Sequence, residues 1–290
     1  MKHILVPTDF SVYSKNALKL ATNIAKKSNG KITLYHVIDY NEYLTTSPGL
    51  NGNQISELHT KAKYEAQKQL ENAASEFKNT GITIKIESSS GLLQDQLQRL
   101  ISKESKFDLV VMGSKGANGI SELFLGSNAE RIIRHSEPPV ITVNDDITSF
   151  KLENIVFVSD FDKNPGGEFE AVKDLADAFD STIHLVRINT PQFFEKTSHI
   201  EARMRSFVDL WKLKKYTAQQ WDHTHFEGGI DQYVTRTKAD LLVIGTHGRQ
   251  GLAHLFLGSM AEDIANHMDL PIMTFKIKDR EARRFYPLTV

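Results

Sequence analysis

The sequence contains no cysteine, which excludes disulfide bonds, thiolate metal sites and cysteine nucleophiles. It also lacks an excess of either charge, because 35 Lys and Arg residues stand against 36 Asp and Glu residues. A balanced charge is not typical of proteins that bind nucleic acid or anionic membranes. No apolar run approaches the roughly 18 residues of a membrane span, and the N-terminus has no secretion-signal pattern. The sequence therefore predicts a cytoplasmic protein that binds neither nucleic acid nor membrane.

The chain does contain an internal repeat. Residues 113–127 read GSKGANGISELFLGS, and residues 245–259 read GTHGRQGLAHLFLGS. The starts of the two halves also match, since residues 3–10 read HILVPTDF and residues 154–161 read NIVFVSDF. Two matches in the same order indicate a tandem duplication. A length of 290 residues is also enough for two domains of roughly 145 residues each.

A polar stretch at residues 145–151 separates the two halves. We therefore predict one domain at residues 1–146, a second at residues 151–278, and a C-terminal tail at residues 279–290. Within the first domain, residues 47–53 read SPGLNGN, which predicts a mobile loop near the ligand site.

Short apolar runs alternate with segments of helical periodicity in both halves. Predicted strands of the first half cover residues 4–6, 32–37, 82–86, 109–112 and 140–143, and those of the second half cover 155–158, 183–188, 241–244 and 272–275. Predicted helices cover residues 17–25 (with Gly30 as the C-cap), 55–77, 92–102, 127–135, 171–179 and 200–213. The alternation predicts the α/β class, with two tandem doubly wound domains, each a five-stranded parallel sheet flanked by helices.

The repeated glycine segment follows the fourth strand of each half, at the sheet edge where open α/β sheets bind ligands. We expect its glycines to adopt positive φ or to let a ligand approach closely. Each segment leads into an S-x-x-E capping box, at Ser127 and at Ser259. A helix N-terminus beside such a loop is typical of phosphate sites. The alternative, in which the glycines only make turns and the serines only cap helices, stays open.

The spacing Gly113-x2-Gly116-x9-Gly126-Ser127, repeated at Gly245, Gly248, Gly258 and Ser259, resembles the nucleotide-binding signature of the universal stress protein family. The resemblance covers nearly the whole chain as two consecutive domains. It implies a fold similar to the adenine nucleotide alpha-hydrolases. It also implies a stress-response regulator that binds ATP, with Mg²⁺ or Mn²⁺ held through the phosphates, and uses the nucleotide to control its conformation or partners.

The resemblance further implies which residues contact the nucleotide. Asp9 and Asp160 fall at the adenine and ribose end, and Val37 and Ile188 offer backbone groups to the adenine. The glycines and serines of the signature line the ribose and phosphates. The other implied binding positions are Pro7, Thr8, Met112 and Asn128 in the first half and Ser159, Ile244 and Met260 in the second. Two alternatives stay open: Asp9 and Asp160 as helix-capping loop residues, and Val37 and Ile188 as core residues.

The two halves differ near the implied adenine, where Arg187 stands in place of His36. One site could thus be weaker, empty or altered, and the sequence does not choose which. A separate pair, His223-x-His225, is placed on a probable strand with both imidazoles on one face. It has no third ligand at a suitable spacing, so we predict no protein-held metal.

No Ser-His-Asp arrangement or other catalytic constellation is recognisable, so no dedicated catalysis is predicted. Two alternative functions stay open: a slow metal-dependent ATP hydrolase, and an interaction protein with a non-nucleotide ligand in its clefts. The closing strands, residues 140–143 and 272–275, are predicted sheet edges. Through them the two halves would pair as a pseudo-dimer within one chain, or two chains would form a homodimer.

Overall fold

Strands and helices alternate in the same order in the first half (residues 1–144) and in the second half (residues 150–277). The computed structural model describes residues 1–39, 51–102, 106–114, 127–144, 150–162, 168–247 and 270–277. Residues 145–149 of the predicted seam at 145–151 and the predicted tail at residues 279–290 lie outside these ranges.

The first half contains five strands and four helices among its described residues. In chain order they are β1 (His3–Pro7), α1 (Val12–Ser28), β2 (Lys31–Asp39), α2 (Gly52–Ser75), β3 (Ile84–Gly91), α3 (Leu93–Ile101), β4 (Leu109–Gly113), α4 (Ser127–His135) and β5 (Val140–Val143).

The described part of the second half contains five strands and three helices. They are β6 (Asn154–Val158), α5 (Glu168–Phe179), β7 (Thr182–Asn189), α6 (Thr197–Trp211), β8 (Tyr216–Asp222), α7 (Phe226–Thr237), β9 (Leu241–His247) and β10 (Ile272–Ile277).

Each half has five parallel strands in the same spatial order. The order is β3-β2-β1-β4-β5 in the first half and β8-β7-β6-β9-β10 in the second. The two most central strands of each half are almost entirely buried and apolar, as expected for a parallel sheet covered on both faces. The predicted fold class is confirmed. The direction of winding reverses between β1 and β4, and again between β6 and β9, which makes these two places the switch points where such sheets bind ligands.

An aspartate just before the fourth strand of each half fixes the start of the first strand. The Asp108 carboxylate accepts hydrogen bonds from the backbone N–H groups of Lys2 and His3, at 2.7 and 2.9 Å. Asp240 does the same for Glu153 and Asn154, at 2.7 and 2.9 Å. The duplication has therefore kept a contact between residues more than eighty positions apart.

Side chains at the helix ends explain two differences from the predicted boundaries. Helix α1 ends on Asn29, which has φ 52°, so the prediction of Gly30 as the C-cap is wrong. Asparagine tolerates this left-handed conformation and can end a helix in place of glycine. Helix α2 starts at Gly52, because Asn51 and Gln54 form a capping box. The predicted mobile loop is thus wrong for residues 51–53, and residues 47–50 lie outside the described ranges.

The core of the second half contains a cluster of phenylalanine rings. Phe157 on β6 lies with its ring centroid 5.0 Å from that of Phe169 and 5.6 Å from that of Phe207. Phe161 joins the same cluster, 5.3 Å from Phe207, and Trp211 lies 5.0 Å from Phe169. All four phenylalanines are almost completely buried, so this cluster accounts for much of the apolar area that stabilises the second half.

None of the helices in the described ranges combines the length and the apolar character that a membrane span requires.

Candidate functional site

The turn after β1 places the first group of predicted site residues at the switch point of the first half. Thr8 is buried, and its N–H donates to the Tyr35 carbonyl of β2 at 2.8 Å. Its hydroxyl accepts from the N–H of Phe10 at 3.0 Å and donates to the Ser14 hydroxyl of α1 at 3.0 Å. Phe10 has φ 64°, a conformation that is strained for a bulky side chain. Thr8 therefore holds a strained turn between β1 and α1.

Asp9 projects from this turn and is exposed. Its Oδ1 accepts hydrogen bonds from the Ser11 N–H at 3.1 Å and from the Ser11 hydroxyl at 2.6 Å. Ser11 in turn is the N-cap of α1. Asp9 thus has the structural role that was left open as an alternative, since it positions the residue that caps the helix.

Val37 lies at the end of β2, and β1 stops before reaching it. The last residue pair of the two strands is Pro7 with Tyr35. Backbone groups alternate sides along a strand, so Val37 directs its N–H and C=O to the same side as Tyr35, beyond the end of β1. The neighbouring His36 side chain turns away, because its Nδ1 donates to the Thr8 carbonyl at 2.8 Å. Its ring also lies 4.4 Å from the ring of Phe10.

Gly113 ends β4 on the other side of the switch point. A Cβ at this position would lie 2.7 Å from the Tyr13 Cβ and 2.9 Å from the Tyr13 carbonyl carbon. The close approach that this glycine allows is therefore to the first turn of α1. The glycine spacing predicts a ligand contact or a turn at Gly113 and does not indicate this packing.

The turn after β6 in the second half has the same hydrogen-bond pattern as the turn after β1, but different side chains form it. The Ser159 N–H donates to the Val186 carbonyl at 3.2 Å, and the Ser159 hydroxyl accepts from the Phe161 N–H at 3.0 Å. Phe161 has φ 57° and is fully buried. Asp160 is placed like Asp9, and its Oδ1 accepts from the Asp162 N–H at 3.1 Å. In both halves, therefore, a phenylalanine at the equivalent position adopts a strained backbone conformation with positive φ.

Replacing Ser159 by alanine is expected to lower the free energy of unfolding by about 1–3 kcal/mol, because the buried Phe161 N–H loses its acceptor. Urea unfolding followed by tryptophan fluorescence measures this, since both tryptophans, Trp211 and Trp221, lie in the second half. Ser159→Thr is the matched control, because threonine stands at the equivalent position 8. Equal stability of the alanine and threonine variants would contradict the role of the hydroxyl.

Arg187, which replaces His36, makes different contacts. Its Nη1 donates to the carbonyl of Ile188, and its Nη2 donates to the Phe193 carbonyl at 3.2 Å. Burial lowers the pKa of the Arg187 guanidinium from its ordinary value, while the charges of Asp160 and Glu195 oppose that effect. Arg187 therefore ties the end of β7 to the short turn at residues 191–193.

A second arginine, Arg203 on α6, reinforces this region. It is buried and donates from Nη1 to Asp162 and from Nη2 to Glu195. Burial lowers the pKa of Arg203, but the hydrogen bond and charge of Glu195 and the charge of Asp162 outweigh it, so the pKa is raised overall. Arg203 and Glu195 could not be predicted as neighbours, because nothing in their spacing indicates a contact between a helix residue and a loop residue.

The remaining predicted site residues fall into three groups. Pro7, Met112 and Ile244 are strand residues near the two switch points, and Gly245 lies in β9. Asn128 is exposed in the first turn of α4, which begins at Ser127. The others, Gly116, Gly126, Gly248, Gly258, Ser259 and Met260, lie outside the described residues.

The capping box at Ser127 stays a prediction, because the Ser127 side chain lies outside what the structure describes; the Glu130 carboxylate accepts from Arg134 at 2.7 Å. The placement of His223 and His225 on a strand is wrong, because β8 ends at Asp222 and His225 is the N-cap residue of α7. The His223 ring packs against Gly228, and its Nδ1 lies 2.7 Å from the His225 carbonyl oxygen.

Metal-ligating side chains do not cluster in the part of the chain that the structure describes. Within it, no group of three or more His, Cys, Asp or Glu residues is arranged to hold an ion.

In each half, five parallel strands in the same order and a strained turn at the switch point define the doubly wound α/β class, a class in which ligands commonly bind beyond the carboxyl ends of the strands. The sequence pattern described as the universal stress protein family matches residues 1–144 and again residues 151–276. The chain belongs to this family and contains two of its domains in tandem.

Individual relatives agree with this assignment. The chain is 34% identical to Universal stress protein MJ0531 of Methanocaldococcus jannaschii over 142 residues, which cover 49% of this chain and 81% of the relative. It is 24% identical to Universal stress protein Slr1230 of Synechocystis sp. over 298 residues, with 95% and 100% covered. A crystal structure of a universal stress protein from Archaeoglobus fulgidus has the same fold, with a TM-score of 0.75, 18% identity and coverage of 95% and 98%.

Proposed function

We propose that the chain binds an adenine nucleotide beyond the carboxyl ends of β1 and β4 and acts as a nucleotide-dependent regulator without dedicated catalysis. The observation that carries this proposal is the edge of β2 at Val37, which extends past the end of β1. One adenine edge offers an N–H donor beside a ring-nitrogen acceptor. A backbone C=O and N–H on the same side of one residue complement that pair.

The surrounding residues support the same ligand. Asp9 is exposed beside this edge of the sheet, and its carboxylate would accept from ribose hydroxyl groups. Helix α4 follows the glycine signature in the sequence, and its described part begins with Ser127 and Asn128. Its N-terminal N–H groups would hold the phosphates.

A divalent ion fits this proposal only as a partner of the nucleotide. In this proposal Mg²⁺ or Mn²⁺ would be held by the phosphates, where it neutralises their charge.

The test is a calorimetric titration with Mg·ATP of protein that has been unfolded, freed of nucleotide and refolded. We expect Asp9→Asn to weaken ATP binding roughly 10- to 100-fold, which is the cost of losing a charge-assisted hydrogen bond. Asparagine keeps the Oδ1 that positions Ser11, so the turn is preserved. Asp95→Asn is the matched control, because Asp95 is an exposed carboxylate on α3.

Three outcomes would count against the proposal. Absence of ATP binding would leave a non-nucleotide ligand as the better interpretation. Linear, metal-dependent release of phosphate at a rate above that of free ATP would favour the hydrolase. Equal affinity of the Asp9→Asn and wild-type proteins would remove Asp9 from the site.

Location in the cytoplasm and self-association through the closing strands stay predictions. Light scattering during size-exclusion chromatography tests the homodimer, and a single species of 32.7 kDa would exclude it.

A further inference from the structure

We propose that Arg187 blocks the second half's equivalent of the Val37 edge, so that the first half alone binds the nucleotide. This inference rests on the proposed function, and it assigns opposite roles to two positions that the duplication made equivalent.

The register of the strands establishes the equivalence. His3 pairs with Lys31 in the first half, and Asn154 pairs with Thr182 in the second. Counting along β2 and β7 from these pairs makes Val37 equivalent to Ile188, and His36 equivalent to Arg187. The Ser159 N–H bonds to the Val186 carbonyl just as the Thr8 N–H bonds to the Tyr35 carbonyl. Ile188 therefore directs its backbone groups beyond the end of β6.

In the second half, a side chain of the protein already bonds to the backbone carbonyl at this position. The Ile188 carbonyl accepts a hydrogen bond from Arg187 Nη1, where the adenine amino group would donate. The same guanidinium also donates to the Phe193 carbonyl, so its plane bridges the space between the strand end and the following turn. In the first half, the equivalent His36 donates to the Thr8 carbonyl instead, and no side chain in the described part of the chain donates to the Val37 carbonyl.

Neighbouring charges hold Arg187 in this position. The charges of Asp160, Glu195 and Asp162 attract its guanidinium, and the charge of Arg203 repels it. Glu195 is fixed in turn by Arg203, and its N–H donates to the Asn189 side chain at 3.0 Å. An adenine that entered the second half would displace Arg187 from the Ile188 carbonyl. Because the displaced bond is charge-assisted, we expect adenine to bind there at least about tenfold more weakly than in the first half.

The two equivalent positions offer a reciprocal exchange as the test. Arg187→His gives the second half the histidine of the first, and His36→Arg gives the first half the arginine of the second. Arg205→His is the control, because Arg205 is an exposed arginine on α6. Native mass spectrometry of nucleotide-free protein counts the ATP molecules per chain. Photolabelling with 8-azido-ATP, followed by peptide mapping, assigns the label to residues 1–144 or 151–276.

We expect one ATP per chain in the wild-type and Arg205→His proteins, with the label in residues 1–144. Arg187→His should bind two, and His36→Arg should bind none. Two ATP molecules on the wild-type protein, or a label in residues 151–276, would overturn the proposal. It would also be overturned if Arg187→His and a second variant, Arg187→Ala, both kept native tryptophan fluorescence and gained no label in the second half.

The outcomes separate this inference from the proposed function. If the wild-type protein bound no ATP but Arg187→His acquired label in residues 151–276, the first-half site would be wrong and the block by Arg187 would stand. If neither protein bound ATP, both proposals would fail.

Discussion

Replacing Phe157 by alanine should lower the free energy of unfolding of the second half by about 3–5 kcal/mol. Phe157 is 1% exposed, and its ring contacts those of Phe161, Phe169, Phe207 and Phe275 at centroid distances of 5.8, 5.0, 5.6 and 6.1 Å. Truncation removes the ring and leaves a cavity that four neighbouring rings cannot all move to fill.

Urea unfolding followed by tryptophan fluorescence reports this loss directly, because Trp211 packs on Phe169 of the same cluster. Phe194→Ala is the matched control. That ring is 71% exposed, so its removal should change the free energy of unfolding by no more than about 0.5 kcal/mol. A loss below about 1 kcal/mol for Phe157→Ala would show that the cluster does not stabilise the second half.

Replacing Gly113 by alanine should destabilise the first half by about 1–3 kcal/mol, the usual cost of forcing extra volume into a packed site. The new methyl group would lie within 3.0 Å of both the Cβ and the carbonyl carbon of Tyr13. The backbone of α1 must therefore shift away from β4, and far-UV circular dichroism during urea unfolding measures the effect.

Gly52→Ala is the control for this substitution, because a Cβ at Gly52 meets no atom within 4 Å. Gly52 is in the first turn of α2, where alanine should leave stability unchanged or raise it by about 0.5–1 kcal/mol. Destabilisation by both alanines to the same extent would contradict the packing argument, since chain flexibility would then explain both results.

Much of the fold can be predicted from the sequence because it depends on local patterns. The predicted ends of α4 and β5 are those of the structure. The buried runs at β1, β4 and β6 are short and apolar, and each follows a polar residue, His3, Asp108 or Asn154. The errors arose where a less common residue made the boundary, as when Asn29 ended α1 in place of the adjacent glycine. The start of α2 could have been predicted, since Asn51 and Gln54 have the spacing of a capping box.

The candidate site could be predicted only in part, because its energetics depend on contacts between distant segments. The repeat indicated that position 187 differs from position 36, but periodicity does not show that the Arg187 guanidinium returns to the Ile188 carbonyl. Nor does it bring Arg203 and Asp162 together across 41 positions. For Gly113, the sequence indicated an important residue but not the packing that explains it. It was selected as a ligand residue, yet its packing on Tyr13 alone would require glycine.

The aspartates that hold the first strands have a consequence for synthesis on the ribosome. β1 pairs with β4 and is held by Asp108, which follows His3 by 105 residues. At the usual elongation rate, about 5–20 s therefore pass between the synthesis of β1 and the synthesis of β4, its second neighbour in the sheet. Until then, one edge of β1 has no partner from its own domain, and the apolar run Ile4–Val6 is exposed to other chains. Nascent-chain aggregation and chaperone binding should accordingly peak before residue 113 has left the exit tunnel.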